Sequence, residues 1–217
     1  SLLKSVSIAL KAVPSKTTMP ILECILMDAT TNQIKFTTND MELGIETIVE
    51  GTIEEKGKVA LDAKIFYEII RRLPDNDVTI KTDDKYAATI TCEKAKFNIP
   101  GKSGEDFAYL PMIEKDEPLT ISQYTLKEMI RQTIFSIAVN ENNKLMTGEL
   151  FEIKNNCLKV VSLDGHRISI RKMSLKKDYS DRKVVVPGKT LSEVSKILSG
   201  EVDDQVSIYF TKNHILF

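Results

Sequence analysis

The sequence has no tryptophan, only two histidines and only three cysteines. The histidines, His166 and His214, and the cysteines, Cys24, Cys92 and Cys157, stand apart from one another, without any Cys-x-x-Cys spacing. A zinc site needs several such ligands at short spacing, so the sequence predicts no metal site. An odd number of isolated cysteines is typical of reduced thiols in a cytoplasmic protein.

Long apolar runs and a large charge imbalance are missing as well. No run reaches the roughly 18 apolar residues of a membrane-spanning helix, so no membrane partner is expected. The 30 Lys and Arg residues nearly balance the 31 Asp and Glu residues, which gives a net charge of −1. A nucleic-acid surface is not thereby excluded, because the distribution of charge matters more than its sum.

Motifs for catalysis are also scarce. Gly101-Lys102-Ser103 resembles the end of a phosphate-binding loop, but Lys96 stands where the first glycine is needed and no helical pattern follows. Asp164 and His166 could form an acid–base pair, yet no motif places a Ser or Cys nucleophile beside them. We therefore predict no catalytic residues and no cofactor, and keep a hydrolytic site around Asp164 and His166 as the alternative.

What the sequence does contain is an internal repeat at an offset of about 124 residues. The offset drifts only from 123 to 125 along the chain. A repeat of this length predicts two domains of the same fold. The matched pairs are Leu3-Lys4 with Leu126-Lys127, Leu26 with Leu150, Phe36 with Val160, Asp40 with Asp164, Lys64 with Lys189, and Leu73 with Leu198.

Apolar periodicity predicts two helices and several strands in each copy. The predicted helices are 2–12, 63–72 with Asp62 as N-cap, 125–139 with a capping box of Thr125 and Glu128, and a fourth from a capping box of Thr190 and Glu193 to about residue 199. Strands are expected at 21–27, 34–37, 44–49, 58–61, 78–82, 87–92, 96–99, 150–154, 158–163, 167–173, 183–186, 206–210 and 214–217. The fold class is therefore α+β, with two helices packed on antiparallel β-sheet in each domain.

A polar segment bounded by prolines, from Leu110-Pro111 to Glu117-Pro118, is the predicted linker. The domains are then residues 1–112 and 118–217.

The predicted helices carry most of the positive charge. The segments 3–16, 62–73, 125–140 and 188–199 hold ten Lys and Arg residues against four Asp and Glu residues. This pattern suits either ordinary solvated helix faces or one basic surface that faces a polyanion.

The two copies diverge just after the shared aspartate. Copy one has Asp40-Met41-Glu42-Leu43, and copy two has Asp164-Gly165-His166-Arg167. The second stretch can be a tight turn between strands, with Gly165 supplying a permissive backbone. Met146, Leu163 and Ile168 can also line an apolar groove for a peptide, with His166 and Arg167 at its rim.

Several stretches in both copies resemble the bacterial DNA polymerase III beta subunit family, the sliding clamps. The stretches are Leu163-Asp164-Gly165-His166-Arg167-Ile168, Leu150-Phe151-Glu152 and Val184-Val185-Val186-Pro187-Gly188-Lys189 in copy two, and Thr18-Met19-Pro20-Ile21-Leu22, Asp40-Met41-Glu42 and Phe66 to Leu73-Pro74 in copy one. The resemblance implies the DNA clamp fold, a ring of two chains with three similar domains each and helices lining the hole. It further implies that the first strand of domain 1, the C-terminal part of domain 2 and the whole third domain are absent from this chain.

The resemblance also implies three sets of site residues. A peptide pocket would comprise Met146, Leu163, Gly165, His166, Arg167 and Ile168. DNA-facing positions would be Lys16, Lys64, Arg71, Asn140 and Lys189. The dimer interface would use Lys94, Lys96, Phe97 and Ile99.

Some positions depart from the family pattern. Met146, Leu163 and Ile168 replace the more usual Leu, Thr and Leu, so the pocket is expected to be apolar with an altered shape. Lys144-Leu145 and Gly188 stand where some relatives have aromatic residues and Arg.

The function implied is that of a processivity factor, a homodimeric ring around double-stranded DNA. It would tether the replicative DNA polymerase, the clamp loader and repair proteins through short linear peptides. A hydrolytic enzyme is the leading rival, and a peptide-binding scaffold without a DNA role is a lesser one.

Overall fold

The computed structural model describes residues 1–139 and 142–217. The chain divides into two compact units, Ser1–Leu110 and Pro111–Phe217, called unit 1 and unit 2 below. Within the described residues, each unit contains two α-helices and two antiparallel sheets. The predicted α+β class is confirmed.

Unit 1 contains two helices and eight strands. The helices are α1 (Leu2–Ala9) and α2 (Ala63–Arg72). A five-stranded sheet has the order β3-β2-β1-β4-β8, and a three-stranded sheet has the order β5-β6-β7. The strands are β1 (Cys24–Asp28), β2 (Ile34–Asn39), β3 (Gly44–Val49), β4 (Lys58–Asp62), β5 (Thr79–Thr82), β6 (Ala88–Cys92), β7 (Ala95–Ile99) and β8 (Gly101–Ser103).

Unit 2 repeats this plan with helices α3 (Gln123–Arg131) and α4 (Gly188–Ile197). Its four-stranded sheet has the order β12-β11-β10-β13, and its three-stranded sheet has the order β15-β14-β9. The strands are β9 (Leu119–Ser122), β10 (Gly148–Lys154), β11 (Cys157–Leu163), β12 (Ile168–Ser174), β13 (Arg182–Pro187), β14 (Gln205–Phe210) and β15 (Ile215–Leu216).

The repeat extends to strand register. In unit 1, Leu26 on β1 pairs with Thr37 and Ala60; in unit 2, Leu150 on β10 pairs with Val161 and Val185. The two sheets therefore present equivalent rows of side chains at the same offset as the sequence repeat.

Each unit buries its own apolar core between helices and sheet. In unit 1 the rings of Phe36 on β2 and Phe66 on α2 lie with their centroids 5.8 Å apart. In unit 2, Phe151 on β10 is fully buried among Leu126 of α3 and Leu191 of α4. The apolar stripe of each helix thus faces the sheet, as the helical periodicity predicts.

The Asp62 cap is confirmed, because its Oδ1 accepts a hydrogen bond of 2.8 Å from the Ile65 amide at the start of α2. Both predicted capping boxes are wrong. Thr125 and Glu128 lie inside α3, which starts at Gln123, where the backbone amide donates instead to the Asp204 carbonyl at 2.8 Å. The helix thus begins two residues before the predicted cap, and a neighbouring chain segment satisfies its first amide.

The predicted box of Thr190 and Glu193 fails for the same reason, since α4 already starts at Gly188. Predicted helix extents also change. The third helix ends at Arg131 rather than near Val139, and residues 134–136 form a separate 3₁₀ turn. Residues 21–23, predicted as the start of a strand, belong to another 3₁₀ turn, Pro20–Glu23.

Candidate peptide pocket and flanking surfaces

The β11–β12 hairpin of unit 2 ends in a tight turn that is built around Asp164. The last strand pair is Leu163 with Ile168. The Asp164 carboxylate accepts hydrogen bonds from the backbone amides of His166 (3.0 Å) and Arg167 (3.1 Å), and its second oxygen accepts one from Arg167 Nε at 2.9 Å. Gly165 has a left-handed backbone with φ of +86°. The stretch from Asp164 to Arg167 is therefore held by one carboxylate.

This geometry counts against acid–base chemistry at Asp164. The hydrogen bonds from the His166 amide, then from Arg167, hold the pKa of the Asp164 carboxyl below its usual value. A carboxylate with a lowered pKa and both oxygens engaged is a poor proton acceptor. The hydrolytic alternative around Asp164 and His166 thereby loses its base.

Apolar side chains lie exposed on both sides of the turn. Leu163 is 39% exposed and Ile168 is 59% exposed. Met146, on the 3₁₀ turn Lys144–Thr147, lies with its terminal methyl carbon 3.9 Å from where a Cβ on Gly165 would stand. The fold thus brings the chain segment around Met146 to Gly165, the glycine of the hairpin turn.

The Met146 turn is tied to the rest of unit 2 by its backbone. The Met146 carbonyl accepts a 2.8 Å hydrogen bond from the Ala138 amide, and the Met146 amide donates to the Asn143 carbonyl at 3.0 Å. The Asn143 side chain accepts from the Leu145 amide at 3.1 Å. These hydrogen bonds position Met146 on one short turn of 3₁₀ helix, which is not part of a longer helix or strand.

Phe135 is a neighbour of the turn that the sequence did not point to. Its side chain is 58% exposed, and the Arg167 guanidinium carbon lies 5.9 Å from its ring centroid. The adjacent Ser136 hydroxyl meets the Ser169 hydroxyl of β12 at 2.6 Å, which anchors this 3₁₀ turn to the hairpin. Phe135 was overlooked because the third helix was predicted to run through it, which placed it on a helix face.

Unit 1 contains the same turn without the same surface. The Asp40 carboxylate accepts from the amides of Glu42 (3.0 Å) and Leu43 (2.7 Å), and Met41 has φ of +75°. Leu110 lies directly over Gly44, the counterpart of Ile168. In unit 1, the chain's own segment therefore covers the strand end that unit 2 leaves exposed.

The predicted DNA-facing residues are exposed where the structure describes them. Lys16 follows α1, Lys64 lies on α2 and Lys189 on α4. Arg71 forms a 2.6 Å ion pair with Glu68, and this hydrogen bond lowers the pKa of Glu68 and raises that of Arg71. Asn140 lies outside the described residues.

The predicted interface strand β7 lies at the edge of its sheet. Lys94 and Lys96 are exposed and Phe97 is 38% exposed. Ile99, the fourth residue that the resemblance assigns to the interface, lies on the same face of β7 as Phe97 but is buried. It is only 6% exposed, because it pairs with Ala88 at the inner end of the strand and packs into the core.

Phe97, at the more exposed part of this face, lies against α2. It lines a shallow groove with Ile65 and Ile69, rimmed by Lys64, Glu68 and Arg72. Ile65 is 49% exposed, so the groove is apolar and open. Lys64, predicted to face DNA, thus lies beside the predicted interface strand.

The described ranges 1–139 and 142–217 contain no cluster of three or more His, Cys, Asp or Glu side chains suited to a metal ion. None of their helices has both the length and the apolar character needed to cross a membrane.

Comparison with known families gives two matches in sequence order. Residues 1–111 match the family model of the DNA polymerase III beta subunit, N-terminal domain, and residues 120–217 match that of its central domain.

Similar proteins include the beta sliding clamps of Staphylococcus epidermidis and Staphylococcus aureus, both 33% identical over 216 residues. The match covers 96% of this chain and 57% of each relative, so the chain spans little more than half their length.

Solved structures of sliding clamps resemble this chain as well. A putative DNA polymerase III beta subunit from Eubacterium rectale has 67% identity and a TM-score of 0.97 over 99% of this chain and 59% of that one. The DNA polymerase sliding clamp of Bacillus subtilis has 36% identity and a TM-score of 0.95 over 100% of this chain and 59% of that one.

Proposed function

Since the chain belongs to the DNA polymerase III beta subunit family, the sliding clamps, we propose that it forms part of a ring that encircles duplex DNA and tethers partner proteins. The observation that carries the proposal is the surface around the Asp164–Arg167 turn. Exposed Leu163 and Ile168 stand there beside the Met146 methyl group and the side-chain-free Gly165. An open apolar surface next to fixed polar groups suits a short peptide with apolar anchors.

The polar rim gives the peptide its orientation. Arg167 is held between the Asp164 carboxylate and the Phe135 ring, so its guanidinium is fixed before a ligand arrives. A preorganised donor costs less entropy on binding than a free side chain does. The partners we propose are the replicative polymerase, the clamp loader and repair proteins.

The proposed DNA surface consists of Lys16, Lys64, Arg71, Asn140 and Lys189. Phosphate contacts from exposed Lys and Arg are independent of sequence and weaken with salt. Such contacts allow a ring to slide, because each one is weak and solvated.

The proposed ring is a homodimer that uses strand β7. Lys94, Lys96 and Phe97 lie at or next to an exposed sheet edge, and edges of this kind pair readily with another chain. Ile99 supports this strand from the core instead of contacting the partner. The protein acts in the cytoplasm, performs no chemistry of its own and serves as a mechanical tether.

A topological experiment tests the proposal. A protein of the relatives' full length that contains this chain is loaded onto nicked circular DNA by a clamp loader and separated by gel filtration. It should stay with the circle and be lost when the circle is cut once, since a ring slides off an end. Equal retention on circular and linear DNA would contradict encirclement.

A further inference from the structure

Glu149 lies in the interior of unit 2. It is the second residue of β10, and the alternation of the strand places it on the same face as Phe151 and Ile153. Its side chain is 0% exposed, and among the described residues neither carboxyl oxygen has a hydrogen-bond partner. An ionised carboxylate in such a place is strongly disfavoured.

The groups around Glu149 are neutral. Val186 on β13 is its strand partner. The Thr133 hydroxyl donates to the Met129 carbonyl at 2.7 Å. Burial, the largest cause, raises the pKa of the Glu149 carboxyl to about 7.

Charged side chains on the surrounding elements do not contribute to this shift. Most of these charged side chains are exposed at the surface, and five are partly buried: Lys127, Glu128, Glu152, Lys159 and Glu193. The full set consists of Lys127, Glu128 and Arg131 on α3, Lys144 on the 3₁₀ turn, Glu152 and Lys154 on β10, Lys159 on β11, Arg182 and Lys183 on β13, and Lys189, Glu193 and Lys196 on α4.

Two 3₁₀ turns adjoin Glu149: Ile134–Ser136, which follows Thr133, and Lys144–Thr147, which ends just before Gly148. The first is anchored to β12 by the contact between the Ser136 and Ser169 hydroxyls, so we take the second as the weaker element. Strand β10 is hydrogen-bonded on both sides, to β11 and to β13, whereas the Lys144–Thr147 turn is a single helical turn held by few backbone contacts. Gly148 joins the two, and its backbone packs so closely that a Cβ there would stand 2.5 Å from the Val186 carbonyl oxygen. Displacing the turn is therefore the least costly way to let water reach an ionised Glu149.

We propose that Glu149 is a proton-controlled latch on the Lys144–Thr147 turn. The neutral acid keeps the turn packed and Met146 beside Gly165. Loss of the proton to solvent displaces the turn, and Met146 leaves the pocket. The effect on ligands rests on the proposed peptide-binding function, while the movement of the turn does not.

Amide hydrogen exchange on the 217-residue chain tests the latch. Protection of the amides of residues 145–148, corrected for intrinsic exchange, is compared at about pH 6 and about pH 8.5. It should fall about tenfold or more at the higher pH in the wild-type chain and stay constant in Glu149→Gln, whose amide cannot ionise. Glu152→Gln, on the same strand but facing Lys159, is the matched control and should behave like the wild type.

A peptide titration then separates the latch from the proposed function. Affinity for a polymerase-derived peptide should fall several-fold between the two pH values in wild type and stay flat in Glu149→Gln. No peptide binding at either pH, with pH-dependent exchange intact, would overturn the peptide function and support the latch. Exchange that responds equally to pH in wild type and Glu149→Gln would overturn the latch.

Folding of the variant need not limit the test. A ¹³C-carboxyl titration of the wild-type chain follows Glu149 directly, without any substitution. A midpoint near neutrality that coincides with the exchange transition supports the latch. A midpoint near 4.5, the ordinary pKa of Glu, would overturn the latch.

Discussion

The methyl group of Met146 and the missing side chain of Gly165 define one space between them. The Met146 methyl carbon lies 3.9 Å from the position that a Cβ on Gly165 would occupy. Any side chain at residue 165 would therefore enter the proposed pocket in contact with Met146.

Gly165→Ala should weaken peptide binding by partly filling that space. The left-handed backbone at residue 165 should also cost the folded state about 1 kcal/mol for a residue with a Cβ. Calorimetry measures the first effect and urea unfolding the second. Gly200→Ala is the control, since a Cβ there meets nothing within 4 Å. Unchanged peptide affinity in Gly165→Ala would remove Gly165 from the pocket.

Leu163→Asp should lower peptide affinity by at least about 2 kcal/mol, because it replaces an apolar anchor contact with a charge. Leu163 is 39% exposed, so the substitution should also lower the free energy of unfolding, by about 1–2 kcal/mol, and binding is measured where the variant is folded. Calorimetry with a polymerase-derived peptide measures the loss. Val202→Asp, at an apolar residue that is 63% exposed in the same unit, should leave affinity unchanged. Equal losses in the two variants would contradict a local pocket.

Glu149→Gln should stabilise unit 2 more at alkaline than at acidic pH. The pKa of folded Glu149, about 7, lies above its ordinary value of 4.5, so the folded state holds the proton more tightly. The stability that the folded state gains by holding this proton is fully present below pH 4.5 and is lost as the pH rises through about 7. Above that pH, the free energy of unfolding of Glu149→Gln should exceed that of the wild type by up to about 3 kcal/mol.

Chemical unfolding at several pH values measures this gain. Glu152→Gln provides the opposite sign of pKa shift on the same strand, since its hydrogen bond with Lys159 lowers the pKa of Glu152. A gain for Glu149→Gln that does not depend on pH would mean that Glu149 titrates normally.

Charge reversal of the basic positions should weaken retention on DNA. A protein of the relatives' length with Lys16, Lys64, Arg71 and Lys189 changed to Glu should leave nicked circular DNA faster, and its retention should depend less on salt. Gel-filtration recovery against salt concentration is the measurement. Changing an equal number of exposed strand lysines, Lys81, Lys154, Lys172 and Lys183, is the control. Normal retention in the first variant would show that DNA passes elsewhere.

The 217-residue chain alone should be mainly monomeric at micromolar concentration, since the ring we propose needs more of the relatives' length. Light scattering measures the mass. In a protein of that length, Phe97→Asp should weaken the dimer, because a charge would replace the apolar side chain at the β7 edge. Met112→Asp, at a fully exposed residue, should not weaken it. A tight dimer of the short chain would place the ring interface elsewhere.

Local sequence patterns located α2 and the hairpin turn but not the starts of α3 and α4. Asp62 caps α2 through a contact three residues away, which a sequence motif can specify. The start of α3 depends on the Asp204 carbonyl, 81 positions further along the chain. No local motif reports such a partner, so Thr125 and Glu128 were misread as a cap.

The candidate site divides in the same way. Residues of the Asp164–Arg167 turn follow one another in the chain, and a short motif identifies them. Phe135 reaches the site only because a 3₁₀ turn replaces the end of the predicted helix. The alternation in Glu149-Leu150-Phe151 did carry a signal for the buried carboxylate, because a residue two positions before a core phenylalanine on a strand shares its face.

Met41 shows what the glycine in the second unit is for. Its φ of +75° gives the unit 1 turn the backbone that Gly165 has in unit 2, and in both turns an aspartate carboxylate holds the following amides. The turn therefore does not require glycine. The shape of the hairpin and the surface it offers are therefore separable. The aspartate sets the backbone in both units, and the absence of a side chain at residue 165 leaves the space beside Met146 open.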